Sequence, residues 1–152
     1  MPTDPNVFTI DAVLADSAVT ADGKLYVQGG GWNLIGTPAL PVQVPRIALA
    51  LVIGVPYAAT NRPHTLEIKF EGADGPIPLG RSAPAGGGEE MLGVSSQFNI
   101  GRPPTIQPGD RQVIPMAMNF NSMTFETAGT YSFTFTIDGE EINRLTFRVA
   151  AA

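Results

Sequence analysis

One histidine, His64, stands in a chain that has six serines and no cysteine. A serine nucleophile needs an adjacent base, so chemistry of that kind would have to run through His64. The nucleophile elbow Gly-x-Ser-x-Gly is missing, because Gly93-Val94-Ser95-Ser96-Gln97 lacks the second glycine. His64 also follows Pro63 at the mouth of an expected strand, a place for a structural or exposed imidazole rather than for a positioned base. Without cysteine there are no disulfides, thiolate zinc sites, iron–sulfur clusters or thiol nucleophiles, and a metal is left with oxygen ligands. Asp16 and Asp22 flank a loop, and calcium sites do collect loop carboxylates. The calcium-loop pattern is absent, however, and Asp22-Gly23 is accounted for as turn chemistry. Glu89-Glu90 and Glu140-Glu141 are adjacent pairs, which extended chain sends to opposite faces, so neither is an acid–base couple by itself. Gly86-Gly87-Gly88 has neither the lysine nor the helix of a phosphate cradle. The chain is therefore expected not to be an enzyme and to carry no cofactor or metal.

Binding is the chemistry that remains. Trp32, the only tryptophan, follows the triplet Gly29-Gly30-Gly31. Three glycines within a strand mark a bulge, a bend or close approach by another backbone, a partner chain or a ligand. Trp32 could be an exposed stacking platform, or it could fill the core with the glycines making room for its ring; the weight large aromatics carry in cores favours the second. A ligand or partner site would draw on end loops holding Trp32, Tyr57, Arg62 and Arg102. Arg62, Arg102 and Arg111 form a basic rim only if those loops converge. Residues 47–55 are apolar on both faces, which makes Ala48, Ala50 and Val52 candidates for self-association, unless a loop covers them or the strand is central.

The net charge of −5 is spread along the chain, and the nine basic residues are equally scattered, which argues against a nucleic-acid footprint. No apolar run approaches the ~18 residues of a membrane span. The polar start, Met1-Pro2-Thr3-Asp4-Pro5-Asn6, lacks a basic region followed by an apolar one, so a cytoplasmic protein is expected. Arginine outnumbers lysine, and with abundant alanine, glycine and proline this suggests a GC-rich bacterial genome.

Fourteen prolines and seventeen glycines leave no window for a helix, and period-two alternation recurs instead. Strands are expected over residues 7–14, 25–35, 46–55, 64–71, 91–100, 113–120, 131–137 and 142–149, with Asp-Gly turns at residues 22–23, 74–75 and 138–139. The proline-rich stretch 38–45 should cross between sheets or run along an edge. Residues 1–6 read as a flexible terminus and residues 81–90 as a mobile glycine-rich loop. One domain of 152 residues with about eight short strands is the pattern of an immunoglobulin-like antiparallel β-sandwich.

Several motifs taken together resemble a known family. They are Ala15-Asp16-Ser17-Ala18-Val19, Asp22-Gly23-Lys24-Leu25, Gly29-Gly30-Gly31-Trp32, Val55-Pro56, Thr60-Asn61-Arg62-Pro63-His64, Phe98-Asn99-Ile100-Gly101-Arg102-Pro103-Pro104, Gly129-Thr130-Tyr131 and Ile137-Asp138-Gly139. The combination, spanning nearly the whole chain, is similar to a small β-sandwich domain of unknown function common in high-GC bacteria. That resemblance implies a fold and no activity. The function expected from the residues is a non-enzymatic interaction or assembly module that binds another protein or itself, with neither nucleic acid nor membrane as partner. The alternative is a small-ligand or glycan-binding domain using the end loops around Trp32.

Overall fold

The computed structural model describes residue 4, residues 6–79 and residues 93–152; the stretch 81–90 lies outside the described residues. Alternating apolar residues build the inner faces of two facing sheets. In β6 (His64–Gly72) Leu66, Ile68 and Phe70 are buried, and in β10 (Gly129–Ile137) so are Tyr131, Phe133, Phe135 and Ile137. These two strands pair in the middle of a six-stranded sheet. It is completed by β4 (Leu34–Thr37) and β11 (Glu140–Ala151) beyond β10, and by β7 (Gly75–Ile77) and β8 (Gly93–Phe98) along the far side of β6. The opposing sheet holds β1 (Thr9–Ala15), β5 (Val42–Pro56) and β9 (Arg111–Phe125), with β5 in the centre. Ile47, Leu49, Leu51, Ile53 and Val55 of β5 are fully buried. They meet an aromatic cluster in which Phe70 lies 4.6 Å from Phe133 and Phe147 packs near both. Each large side chain so buried stabilises the fold by about 1.5–3 kcal/mol. Tyr131 closes one corner by donating its hydroxyl to the Thr127 carbonyl at 2.6 Å, the tyrosine-corner device of immunoglobulin-like sandwiches.

The remaining pair, β2 (Ser17–Ala21) and β3 (Lys24–Gln28), forms a separate hairpin. Its turn residues Asp22 and Gly23 have φ of 52° and 71°, and Asp138 and Gly139 repeat this with 52° and 85°, as turns with two positive-φ residues require. The hairpin lies on the outer face of β5 and β9. Ala15 and Ala18 pack there against Ala48 and Ala50, with Leu25 and Ala117 alongside. Asn119 of β9 fastens it: its Oδ1 accepts from Ala18 N at 3.2 Å and its Nδ2 donates to Ala18 O at 2.8 Å, so the side-chain amide stands in for a neighbouring strand.

The fold is the expected all-β sandwich, and it departs from expectation in three places. Among the described residues eleven strands are formed instead of about eight. The span 25–35 is not one strand, because after Gln28 the chain crosses to the other sheet and re-enters as β4, parallel to β11. All the other strand pairs are antiparallel. Residues 42–45, by contrast, continue β5 through Pro45 where β1 no longer runs beside it, the edge position expected of the proline-rich stretch. The third departure corrects the self-association surface: Ala48 and Ala50 are 0% and 2% exposed beneath the hairpin and cannot meet a second copy, while Val52 is half-buried.

Candidate functional site

Two places hold the residues that the sequence put forward, and β5 separates them. Past the C-terminal end of β5, a 3-10 turn at Tyr57–Ala59 leads to His64. The imidazole is 5% exposed, with Phe8 edge-on at 4.8 Å and Phe98 at 5.5 Å. Nδ1 lies 2.6 Å from Asp138 Oδ2, and Nε2 lies 2.7 Å from the Ala59 carbonyl oxygen. Asp138 also accepts from Thr65 N at 2.9 Å. The hydrogen bond with His64 holds the Asp138 carboxyl below the ordinary carboxylate value; burial opposes it, and the weaker hydrogen bond from Thr65 assists. An ionised carboxylate and a carbonyl only accept, so His64 completes both contacts when both ring nitrogens carry protons. A general base needs a free nitrogen facing substrate, and here neither is free. The His–Asp pair is a clamp that joins the 3-10 turn, β6 and the β10–β11 turn.

Two of the three arginines of this end are engaged in the same way. Arg102 donates to Thr60 Oγ1 at 2.7 Å and to the Tyr57 carbonyl at 2.8 Å, and its guanidinium lies 4.0 Å above the Tyr57 ring. Arg111 donates to the carbonyls of Val7 and Asp4. Arg62 is exposed and acts on Asp138 only through its charge. The loops do converge, and the guanidinium groups of Arg102 and Arg111, but not that of Arg62, are taken up in holding them together.

At the other end of β5, the glycine triplet answers what lies against it. Asp16 N donates to the carbonyls of Gln28 and Gly29, both at 3.1 Å, and Gly31 N donates to Leu14 O at 2.9 Å. Gly29 has φ of 63°, and the Asp16 carboxylate occupies the space that a Cβ there would need. The chain thus folds tightly around the β1–β2 junction and delivers Trp32 to the open side of the sandwich. Trp32 is half-buried and stands edge-on to Phe147 at 6.2 Å, packing on the core without being enclosed by it. Its Nε1 is, among the described residues, the one buried side-chain nitrogen or oxygen with no hydrogen-bond partner. Beside it runs a groove of about 290 Å³ lined by Asp16, Trp32, Leu34, Ile35, Gly36, Val44 and Arg46.

Trp32 therefore does not share a site with Tyr57, Arg62 and Arg102. Arg46 and Pro56 lie ten residues apart on β5, and at about 3.3 Å per residue the strand holds the two places roughly 30 Å apart. Sequence reasoning passed over Asp138, Arg46 and Leu34. Asp138 was accounted for as a turn residue, and nothing local ties it to a histidine 74 positions away. Leu34 had a signal available, as a leucine just after the triplet on a strand whose neighbours were undetermined. Among the described residues no three His, Asp or Glu side chains gather as a metal site, and no helix is long and apolar enough to cross a membrane.

A β-sandwich with a clamped, chemically closed end and a tryptophan-lined open side is the class that these features define. The family model described as a family of unknown function, DUF6941, matches residues 10–150, and the chain belongs to that family. No curated protein matches it. Four chains of solved structures do. One is the alkylpurine DNA glycosylase AlkC of Pseudomonas fluorescens bound to DNA containing an abasic site analogue. That likeness has a TM-score of 0.43 and 12% identity, and it covers 95% of this chain and 30% of AlkC, so the chain spans less than a third of that protein.

Proposed function

We propose that this protein is a non-enzymatic interaction or assembly module of the cytoplasm, binding another protein or a second copy of itself. The observation that carries the reading is where large apolar side chains are left in the open. Val19 and Tyr26 face each other across the β2–β3 hairpin at 56% and 51% exposure, and Leu34 on β4 is 49% exposed. Apolar groups fixed on rigid strands are the material of protein contacts. The occupied nitrogens of His64 support the non-enzymatic part, and the scattered charge supports a partner that is neither nucleic acid nor membrane. The test is retention of a partner by the tagged chain in extracts of its own cells, read by mass spectrometry and by native mass. A distinct protein or a second copy carried through the wash is expected. Retention of neither, together with a turnover that His64→Ala abolishes, would defeat the proposal.

A second reading, small-ligand or glycan binding, is favoured by the groove beside Trp32, where an indole, a carboxylate and a guanidinium border one cavity. It predicts that Trp32 emission shifts on titration with a panel of sugars and metabolites. Emission indifferent to all of them rules this reading out.

A further inference from the structure

We infer that the open edge of β4 is a two-fold interface at which a second copy of this chain pairs, an inference that rests on the assembly reading above. Among the described residues β4 has a neighbour on one side only, β11. Arg148 N donates to Asn33 O and Ala152 N donates to Thr37 O, both at 2.9 Å, so the odd-numbered residues turn their backbone groups toward β11. Successive residues of an extended strand point these groups to opposite edges, which directs the N–H and C=O of Leu34 and Gly36 outward. Among the described residues no strand takes them up. Edges of this kind are templates for another chain, and proteins guard them with prolines and charges. β1, β7 and β9 carry Asp11, Pro76 and Pro115, whereas Leu34-Ile35-Gly36-Thr37, like β2 and β8, carries neither kind of guard, and of these three it is β4 that combines an exposed leucine with a vacant glycine position.

The edge is complementary to itself. Antiparallel pairing about a two-fold axis at Ile35 sets each Leu34 opposite the second copy's Gly36, with their N–H and C=O groups exchanged. Leu34 is the exposed apolar side chain of this strand, and nothing lies within 4 Å of where a Cβ on Gly36 would be. Each copy thus offers one projecting leucine and one vacant seat, on the same face of the strand. The adjoining groove adds one carboxylate, Asp16, and one guanidinium, Arg46, and among the described residues neither is in an ion pair. An interface in which one patch meets its own copy requires such paired opposites.

Sedimentation velocity of the full chain from micromolar to near-millimolar concentration tests this. The mass should rise with concentration from 16.0 kDa to twice that value. Gly36→Val fills the seat with a β-branched side chain that the monomer has room for, so it should keep the thermal midpoint and hold the mass at the monomer value. Leu34→Lys should do the same by placing a charge on the edge. A wild type that stays monomeric throughout, or a doubled mass that survives both substitutions, overturns the inference. A monomer that still retains a distinct protein partner also overturns self-pairing while leaving the assembly reading intact; a monomer that retains no partner removes both.

Discussion

The two ends of β5 use polar groups in opposite ways. At the His64 end each ring nitrogen, the Asp138 carboxylate and the Arg102 guanidinium are matched to a partner, several of them far away in sequence. At the Trp32 end, among the described residues, an indole N–H is left unmatched, a carboxylate and a guanidinium line one groove without meeting, and a strand edge is open. Both ends contain residues that a reading of types alone would mark as functional. What separates them is saturation: a polar group already satisfied inside the fold has little left to offer a ligand, and an unsatisfied one costs stability until something meets it.

Removing the clamp should produce the largest effect. His64→Leu strands the Ala59 carbonyl and strips Asp138 of its partner, and about 2–4 kcal/mol of stability should be lost in urea unfolding. Trp32 emission in the folded state should not change, since the groove lies at the far end; a shifted emission would mean that the ends are coupled. Gly29→Ala forces a positive φ on a side chain that also meets Asp16, and about 1–3 kcal/mol should be lost, this time with altered Trp32 emission. The pH dependence comes next. Folding lowers the Asp138 carboxyl below its ordinary value, so its stabilising contribution is complete above about pH 4 and disappears as acid takes the solution down through the lowered value. The stability gap between wild type and Asp138→Asn should accordingly narrow below about pH 4; a gap that is constant across the acid range would place the clamp elsewhere. Trp32→Phe should change least, within about 1 kcal/mol, because the lost ring area is offset by removal of a buried donor that has no partner. A substantially larger loss would show that the indole nitrogen is paired, and the contrast between the ends would fail.

The inner faces of the sandwich were legible because alternation is a local signal: Leu66, Ile68 and Phe70, or Tyr131, Phe133 and Phe135, each announce their side within a few residues. The Asp-Gly turns at residues 22–23 and 138–139 were legible for the same reason. What covers Ala48 and Ala50 was not, since the cover is held by an asparagine 101 positions from the alanine that it grips. The parallel entry of β4 left no trace either, because two strands joined through distant chain have no turn between them to fix their relative direction. The glycine triplet announced that something comes close, and the structure shows a backbone and the carboxylate of Asp16. As a loop carboxylate Asp16 has the residue type of a calcium ligand, but its position against Gly29 gives it a packing role that the residue type does not reveal.

The pairing of β4 with β11 also sets an order of events during synthesis. Leu34 leaves the ribosome early, whereas Arg148, its partner across the ladder, leaves far later, so β4 has no neighbour on either side while most of the chain is being made. The β2–β3 ladder is local and can form on the nascent chain, but Asn119 and Phe147, which hold the hairpin and Trp32 in place, come later, and β4 becomes a one-sided edge only once β11 has docked. Pairing of two copies through that edge, as inferred above, would thereby be deferred until the chain has been made through β11.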